Sequence, residues 1–319
     1  MKHSVVVSLG GNAILPANNA GTIDQQFQVT QDTLRQVVEL VRDHRVVITH
    51  GNGPIVGNIL IRNELARDQV PPMPLDVCGA DSQGGIGYMI QQTLQNLLRR
   101  AGLEQKVATI VTQVVVDEND EAFRSPTKPI GPFYDEREAR ALAASKGWKV
   151  TQDAGRGWRR VVPSPMPQRI VELPMIRSLH DAGHVVIASG GGGIPVIETP
   201  DGILQGVEAV IDKDFASVVL ALALDAEFLL IVTAVDRVAL DFGKPTQRWI
   251  DRMSLAEAQS HLKDGQFPAG SMGPKIEAAI QFLRKGGRGV CVSSPATIHA
   301  ALQGQAGTWI TEKGQPATA

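Results

Sequence analysis

Only two cysteines occur in the 319 residues, Cys78 and Cys291, and neither belongs to a C-x-x-C or Cys/His cluster. Neither a disulfide framework nor a structural zinc site is therefore indicated, and a reducing compartment fits best. An excess of positive charge is also missing: 31 Lys and Arg against 33 Asp and Glu leave a formal net charge of −2. Such a balance does not hold a polyanion against salt, so no nucleic acid is expected as a partner. No apolar run is long enough for a membrane span or a signal segment; the first, after Met1-Lys2-His3, soon meets Gly10 and Gly11. No membrane partner is expected, and the expected location is the cytoplasm. The phosphate-loop pattern G-x-x-x-x-G-K-[ST] is absent, and Gly51-x-Gly53-x-x-x-Gly57 misses the spacing of a dinucleotide fingerprint. No internal repeat or low-complexity block is present.

What is present is core material, 43% hydrophobic residues, arranged in alternating patterns. Short β-branched runs at Val5–Val7, Val46–Thr49, Val107–Val116, His184–Ala188, Phe228–Thr233 and Val290–Ser293 have the character of buried strands. Amphipathic stretches at Gln25–Asp43, Gln83–Ala101, Gln168–Ala182, Asp214–Leu224 and Pro274–Lys285 have helical spacing. This alternation predicts an α/β fold, a three-layer sandwich around a mostly parallel sheet. The Pro- and Gly-rich segment 117–167 breaks the rhythm, with one modest helical pattern at Asp135–Ser145, and is expected to be a protruding flap inserted in a single domain of residues 1–314. Residues 315–319 are expected to be a frayed tail.

Three glycine clusters each follow an apolar run: Ser8-Leu9-Gly10-Gly11-Asn12, His50-Gly51-Asn52-Gly53-Pro54 and Ser189-Gly190-Gly191-Gly192-Gly193-Ile194-Pro195. One such cluster is compatible with an ordinary tight turn. Three at strand ends point to backbone N–H groups that cradle an oxyanion, helped by following helices. In Ile211-Asp212-Lys213-Asp214 a lysine sits between aspartates at a helix start, which suits either a solvated cap or a lysine aimed at phosphate. Gly270-Ser271-Met272-Gly273-Pro274-Lys275 again places a lysine in a first helical turn, where it opposes the helix dipole unless an anion lies nearby.

These segments, with Thr127-Lys128-Pro129-Ile130-Gly131, Asp153-Ala154-Gly155-Arg156-Gly157 and Arg159-Arg160-Val161-Val162, together resemble the carbamate kinase family of the amino acid kinase superfamily, in order across nearly the whole chain. The resemblance implies an amino acid kinase-like fold, a homodimer, and reversible transfer of a phosphoryl group from carbamoyl phosphate to ADP, giving ATP and carbamate. It implies that Gly10, Gly11, Asn12, Gly51, Asn52 and Gly53 hold the carbamate end and its phosphate. Lys128, Lys213 and Lys275 then meet the phosphates, with Asp214 orienting the lysines. Gly191, Gly192, Lys213, Thr233, Val235, Met272 and Lys275 then bind ADP or ATP. Magnesium is expected on the nucleotide phosphates, with no protein metal ligands. Many superfamily relatives carry a lysine where this chain has Ser8; the resemblance implies that Lys128 serves instead. The resemblance implies that the segment Ala234–Phe242 helps shape the adenine pocket, though it lacks the tyrosines of familiar members, and residues 79–88 form a stretch that varies among carbamate kinase-like proteins.

Other features point elsewhere. Arg156-Gly157-Trp158-Arg159-Arg160 has a nucleic-acid flavour but no wider basic surface, which favours a flap surface. His50 at a strand end suits a hydrogen-bonded structural role rather than a general base. Asp117, Asp120 and Glu121 lack calcium-loop spacing and suit a solvated loop. Three alternatives stay open: a sister kinase of another small acid, a dinucleotide-dependent dehydrogenase and a non-catalytic nucleotide sensor.

Overall fold

A computed structural model describes residues 2–15, 21–153 and 157–315. Its main sheet has eight strands, in the spatial order Arg252–Ser254, Thr308–Thr311, Gly289–Ser293, Phe228–Val232, His3–Leu9, His44–His50, Val185–Ile187 and Val107–Thr109. The last six run parallel, and Thr308–Thr311 pairs antiparallel with Gly289–Ser293 at the other side. The continuous apolar runs follow from burial on both faces. Val6, Val47, Val186, Leu229 and Val290 point into one core, while Val5, Val7, Val46, Ile48 and Leu230 point into the other. Helices Lys213–Ala223 and Met272–Arg284 cover the first face, and Ile23–Asp43 and Leu75–Arg100 the second. The three-layer sandwich expected from the alternation is therefore present. Thr22 and Gln25 close a capping box that starts helix Ile23–Asp43.

Two stretches differ from the sequence reading, each for a physical reason. Val107–Val116 is two strands in different sheets, Val107–Thr109 and Gln113–Val116. The buried Gln83 side chain accepts from the Thr112 N–H at 2.7 Å and donates to the Thr112 carbonyl at 3.1 Å, so a side-chain amide stands in for a neighbouring strand. Gln168–Ala182 is not one helix: Pro167–Ile170 is a strand, and the helix begins at Leu173 with Pro174 in its first turn, where proline loses no hydrogen bond. Helix Gly53–Ala66 is not among the amphipathic stretches expected from the sequence; it starts directly at the second glycine cluster, with Pro54 in its first turn.

Within residues 117–167 lie a three-stranded antiparallel sheet, Lys128–Tyr134, Trp158–Val162 and Lys149–Gln152, and helix Glu136–Lys146. Asp120 caps the short helix Glu121–Arg124 and Asp117 accepts from the Asn119 N–H, so this acidic loop satisfies its own backbone. Ala154, Gly155 and Arg156 of the 153–157 motif and residues 316–319 of the tail lie outside the described residues.

Candidate active site

Parallel pairing brings the carboxyl ends of strands His3–Leu9, His44–His50, Val185–Ile187 and Phe228–Val232 to one edge of the sheet, the usual place for a ligand crevice in such folds. The glycine loops meet there. Gly10 donates its N–H to the Val232 carbonyl at 2.9 Å, and a Cβ at this position would sit 2.7 Å from that oxygen. The loop 189–193 presses just as closely: a Cβ on Gly191, whose φ is +66°, would lie 2.2 Å from Asn52 Nδ2. Close approach thus requires glycine at both places. Three helices start at the same edge, Gly53–Ala66, Lys213–Ala223 and Met272–Arg284. Their unpaired N–H groups and aligned dipoles favour an anion in front of them.

The lysines converge on two aspartates. Lys213 Nζ donates to Asp214 Oδ1 at 2.7 Å, and Lys275 Nζ donates to Asp214 Oδ2 at 3.1 Å, so a single buried carboxylate holds two ammonium groups. Burial alone would raise the Asp214 carboxyl, yet Lys213 and Lys275 outweigh it and hold the group well below the usual carboxylate range. Burial lowers Lys213, with Lys275 adding to the fall and Asp214 opposing it. Lys128 reaches across from the strand Lys128–Tyr134 and donates to Asp212 Oδ2 at 2.7 Å. Asp212 is also the cap of helix Lys213–Ala223, accepting from the Asp214 N–H at 2.9 Å. His50, by contrast, is buried and bonded to its neighbour's carbonyl; desolvation lowers its pKa to about 4, so it is neutral near pH 7.

Two cavities meet at Ser271 and Lys275. The polar one, about 240 Å³, is walled by Gly51, Asn52, Gly53, Lys128, Arg159, Gly191, Lys213, Asp214 and Lys275. The apolar one, about 270 Å³, is walled by Asn12, Thr233, Val235, Phe242, Trp249, Phe267 and Met272. A lysine-lined chamber opening into a slot with aromatic walls suits an anion at one end and a flat apolar group at the other. The sequence profile of the amino acid kinase family matches residues 4–294. A carbamate kinase of Pyrococcus horikoshii is 49% identical over 314 residues, covering 98% of this chain and all of that protein.

This chain belongs to the carbamate kinase family.

A carbamate kinase of Giardia lamblia, solved bound to AMP-PNP, superposes with a TM-score of 0.91 at 42% identity, covering 97% of this chain and 98% of that one. The Giardia enzyme solved after thiocarbamoylation by disulfiram on a cysteine gives 0.89 at 42% identity, with 97% of this chain and 99% of that chain covered. As a carbamate kinase family member this chain is a phosphotransferase. Of the residues singled out from sequence, Gly51, Asn52, Gly53, Lys128, Gly191, Lys213, Asp214 and Lys275 share the polar cavity, while Asn12, Thr233, Val235, Met272 and Lys275 share the apolar one. Gly10 and Gly11 sit behind these walls, with Gly11 backing Gly51, and Gly192 lies against the Ile211 carbonyl. Phe242 ends the segment Ala234–Phe242 that the resemblance places at the adenine pocket, whereas Arg159 and Trp249 are not among the site residues expected from the sequence. Arg159 belonged to a basic stretch read as flap surface, and Trp249 lies far along the chain from the glycine loops, with no local pattern to mark it.

Neither cysteine lines a cavity wall of this site. Cys78 and Cys291 are free and fully buried, and burial pushes both thiols up, which disfavours the reactive thiolate. The native protein is expected to consume no thiol reagent such as Ellman's reagent or disulfiram and to keep its activity, with both thiols released on unfolding. Rapid loss of activity with one equivalent of reagent would contradict this.

Proposed function

We propose that this chain catalyses reversible phosphoryl transfer between carbamoyl phosphate and ADP, giving ATP and carbamate, which decays to ammonia and carbon dioxide. The observation that carries the reading is the pair of ammonium groups held on the Asp214 carboxylate where the lysine-lined and aromatic-lined cavities join. Carbamoyl phosphate occupies the polar chamber, its phosphate facing the N–H groups of the glycine loops and the free N–H bonds of the lysines. ADP lies with its base between Phe242 and Trp249 and its phosphates over Met272 and Lys275. A terminal oxygen of ADP attacks the phosphorus in line as the bond to the carbamate oxygen breaks, and the electron pair leaves with carbamate. No proton moves, because carbamate is a stable enough anion to leave as such, so no general base is needed and a neutral His50 is no handicap. The work of the site is positioning and neutralising charge spread over the transferred group.

In this reading magnesium would be held mainly by the nucleotide phosphates. Asp214 and Asp212 are already engaged by lysines, and among the described residues no group of three His, Cys, Asp or Glu side chains is placed to hold a metal. Bound magnesium would supply further charge neutralisation on the phosphate oxygens. Residues 117–167 act as a flap of the single domain, carrying Lys128 and Arg159 over the polar chamber. The enzyme works as a homodimer in the cytoplasm; among the described residues no helix is long and apolar enough to cross a membrane.

The assignment is tested by following ATP formation from ADP with a panel of acyl phosphates. Carbamoyl phosphate is expected to be used with a kcat/KM well above that of acetyl phosphate, and the reverse order would move the chain to a sister kinase. The nucleotide slot has its own test. Trp249 is half exposed, and Trp249→Ala is expected to raise KM for ADP about fivefold to thirtyfold through loss of roughly 1–2 kcal/mol of stacking, with kcat nearly unchanged. An unchanged KM would remove Trp249 from the site.

A further inference from the structure

We propose that Ser8, Ser217 and Thr49 form a buried hydroxyl network that positions Lys213 for transfer. Ser8 and Thr49 are register partners on the adjacent strands His3–Leu9 and His44–His50, and Ser217 lies one turn into helix Lys213–Ala223. All three are fully buried at the edge of the hydrophobic layers, where a hydroxyl is costly unless it is bonded. Each one is bonded. The Lys213 carbonyl only accepts, so Ser217 Oγ, 2.7 Å away, spends its proton there. The Ser217 oxygen then accepts from Thr49 Oγ1 at 2.7 Å, and Ser8 Oγ, 3.1 Å away, is a second acceptor for the Ser217 proton. An ammonium only donates, so Lys213 Nζ donates to Ser8 Oγ at 2.7 Å. Ser8 Oγ thus accepts from both Lys213 Nζ and Ser217 Oγ, and Ser217 in turn reaches the Lys213 carbonyl, so the contacts form a closed ring around Lys213.

The consequence is geometric. One path ties the head of the lysine to its own backbone, and the sheet fixes Ser8 and Thr49 relative to each other. Two of the three N–H bonds of Lys213 go to Ser8 and to Asp214, which leaves the third for the transferred phosphoryl group. Without Ser8 the ammonium keeps its charge and its bond to Asp214 but can rotate about it. A preorganised donor that must reorganise during the reaction gives up part of its benefit. Ser8, Ser217 and Thr49 do not themselves line either cavity, so they are positioning residues that act through Lys213.

The inference rests on the kinase reading above, and the experiment separates the two. Wild type, Ser8→Ala, Ser217→Ala and Ser8→Thr are compared in steady state, with Ser8→Ala also made in a Lys213→Ala background. Expected are a kcat lowered roughly tenfold or more in both alanine variants, below the 10²–10³ of losing the lysine itself, and KM for ADP and carbamoyl phosphate within about twofold. Ser8→Thr, which keeps the hydroxyl, is expected to recover most of the rate, and Ser8→Ala is expected to cost nothing further when Lys213 is already absent. Should Ser8→Ala fail to fold, Ser217→Ala breaks the same path from the helix side and carries the test. Wild-type kcat in folded Ser8→Ala and Ser217→Ala, or an equal further loss in the Lys213→Ala background, overturns the proposal. A wild-type protein that prefers another acyl phosphate would count against the carbamoyl assignment alone, and the same variants would then be compared on the preferred substrate.

Discussion

Asp214→Ala is expected to lower kcat by more than about 10³ and to cost about 3–5 kcal/mol of stability, the scale for removing one member of a buried ion group. The reason is the convergence of Lys213 and Lys275 on this carboxylate, whose side chain is only 4% exposed. Without it two ammonium groups face each other in a poorly solvated site, so the folded state and the transition state both lose. Urea unfolding monitored by circular dichroism and the ATP-forming rate measure the two effects separately. The pH dependence has a definite sign. Because the lysines hold the Asp214 carboxyl below its ordinary value, its contribution is complete above the unfolded-state value of about 4 and is lost as pH falls through the lower folded value. Asp214→Asn lacks that component, so its stability is expected to fall less steeply below about pH 4 than that of the wild type. Equal steepness would mean the pairing does not contribute.

Replacing either Lys213 or Lys275 by Ala is expected to reduce kcat about 10²- to 10³-fold while the protein stays folded. A lysine at an ordinary solvated helix start would instead change the rate hardly at all and stability by within roughly half a kcal/mol. Lys128 sits on the strand above the chamber and pairs with Asp212, so Lys128→Ala is expected to alter KM for carbamoyl phosphate as well as kcat, as a residue that closes over its ligand does. Lys106, exposed ahead of the strand Val107–Thr109, serves as the control and is expected to tolerate Ala. Near-wild-type rates in both Lys213→Ala and Lys275→Ala would dismantle the site.

How far the sequence reveals this site depends on the range of the interaction concerned. Strands such as Val5–Val7 and Phe228–Thr233 are legible because burial on both faces demands unbroken apolar runs, a local rule. The break inside Val107–Val116 is not, because it depends on Gln83 arriving from another helix to satisfy Thr112. The lysines stand out one at a time, Lys275 by its conflict with a helix dipole, but their sharing of Asp214 is a tertiary fact that only the family resemblance anticipates. Ser8 shows the same limit from the other side. In the sequence it is noticed as the place where superfamily relatives have a lysine; in the structure it is the acceptor that holds Lys213. Trp249 and Phe242 form the apolar slot only because the hairpin Val238–Leu240 with Arg248–Ile250 folds them back toward Met272.

The most direct test of the account is a phosphorus NMR time course of wild type and Asp214→Asn with carbamoyl phosphate, ADP and magnesium. The wild type is expected to convert carbamoyl phosphate into the γ-phosphate of ATP one for one, with little free phosphate, and Asp214→Asn to leave both substrates almost untouched. Release of inorganic phosphate without ATP, or equal ATP formation by the variant, would contradict transfer at the two-lysine site.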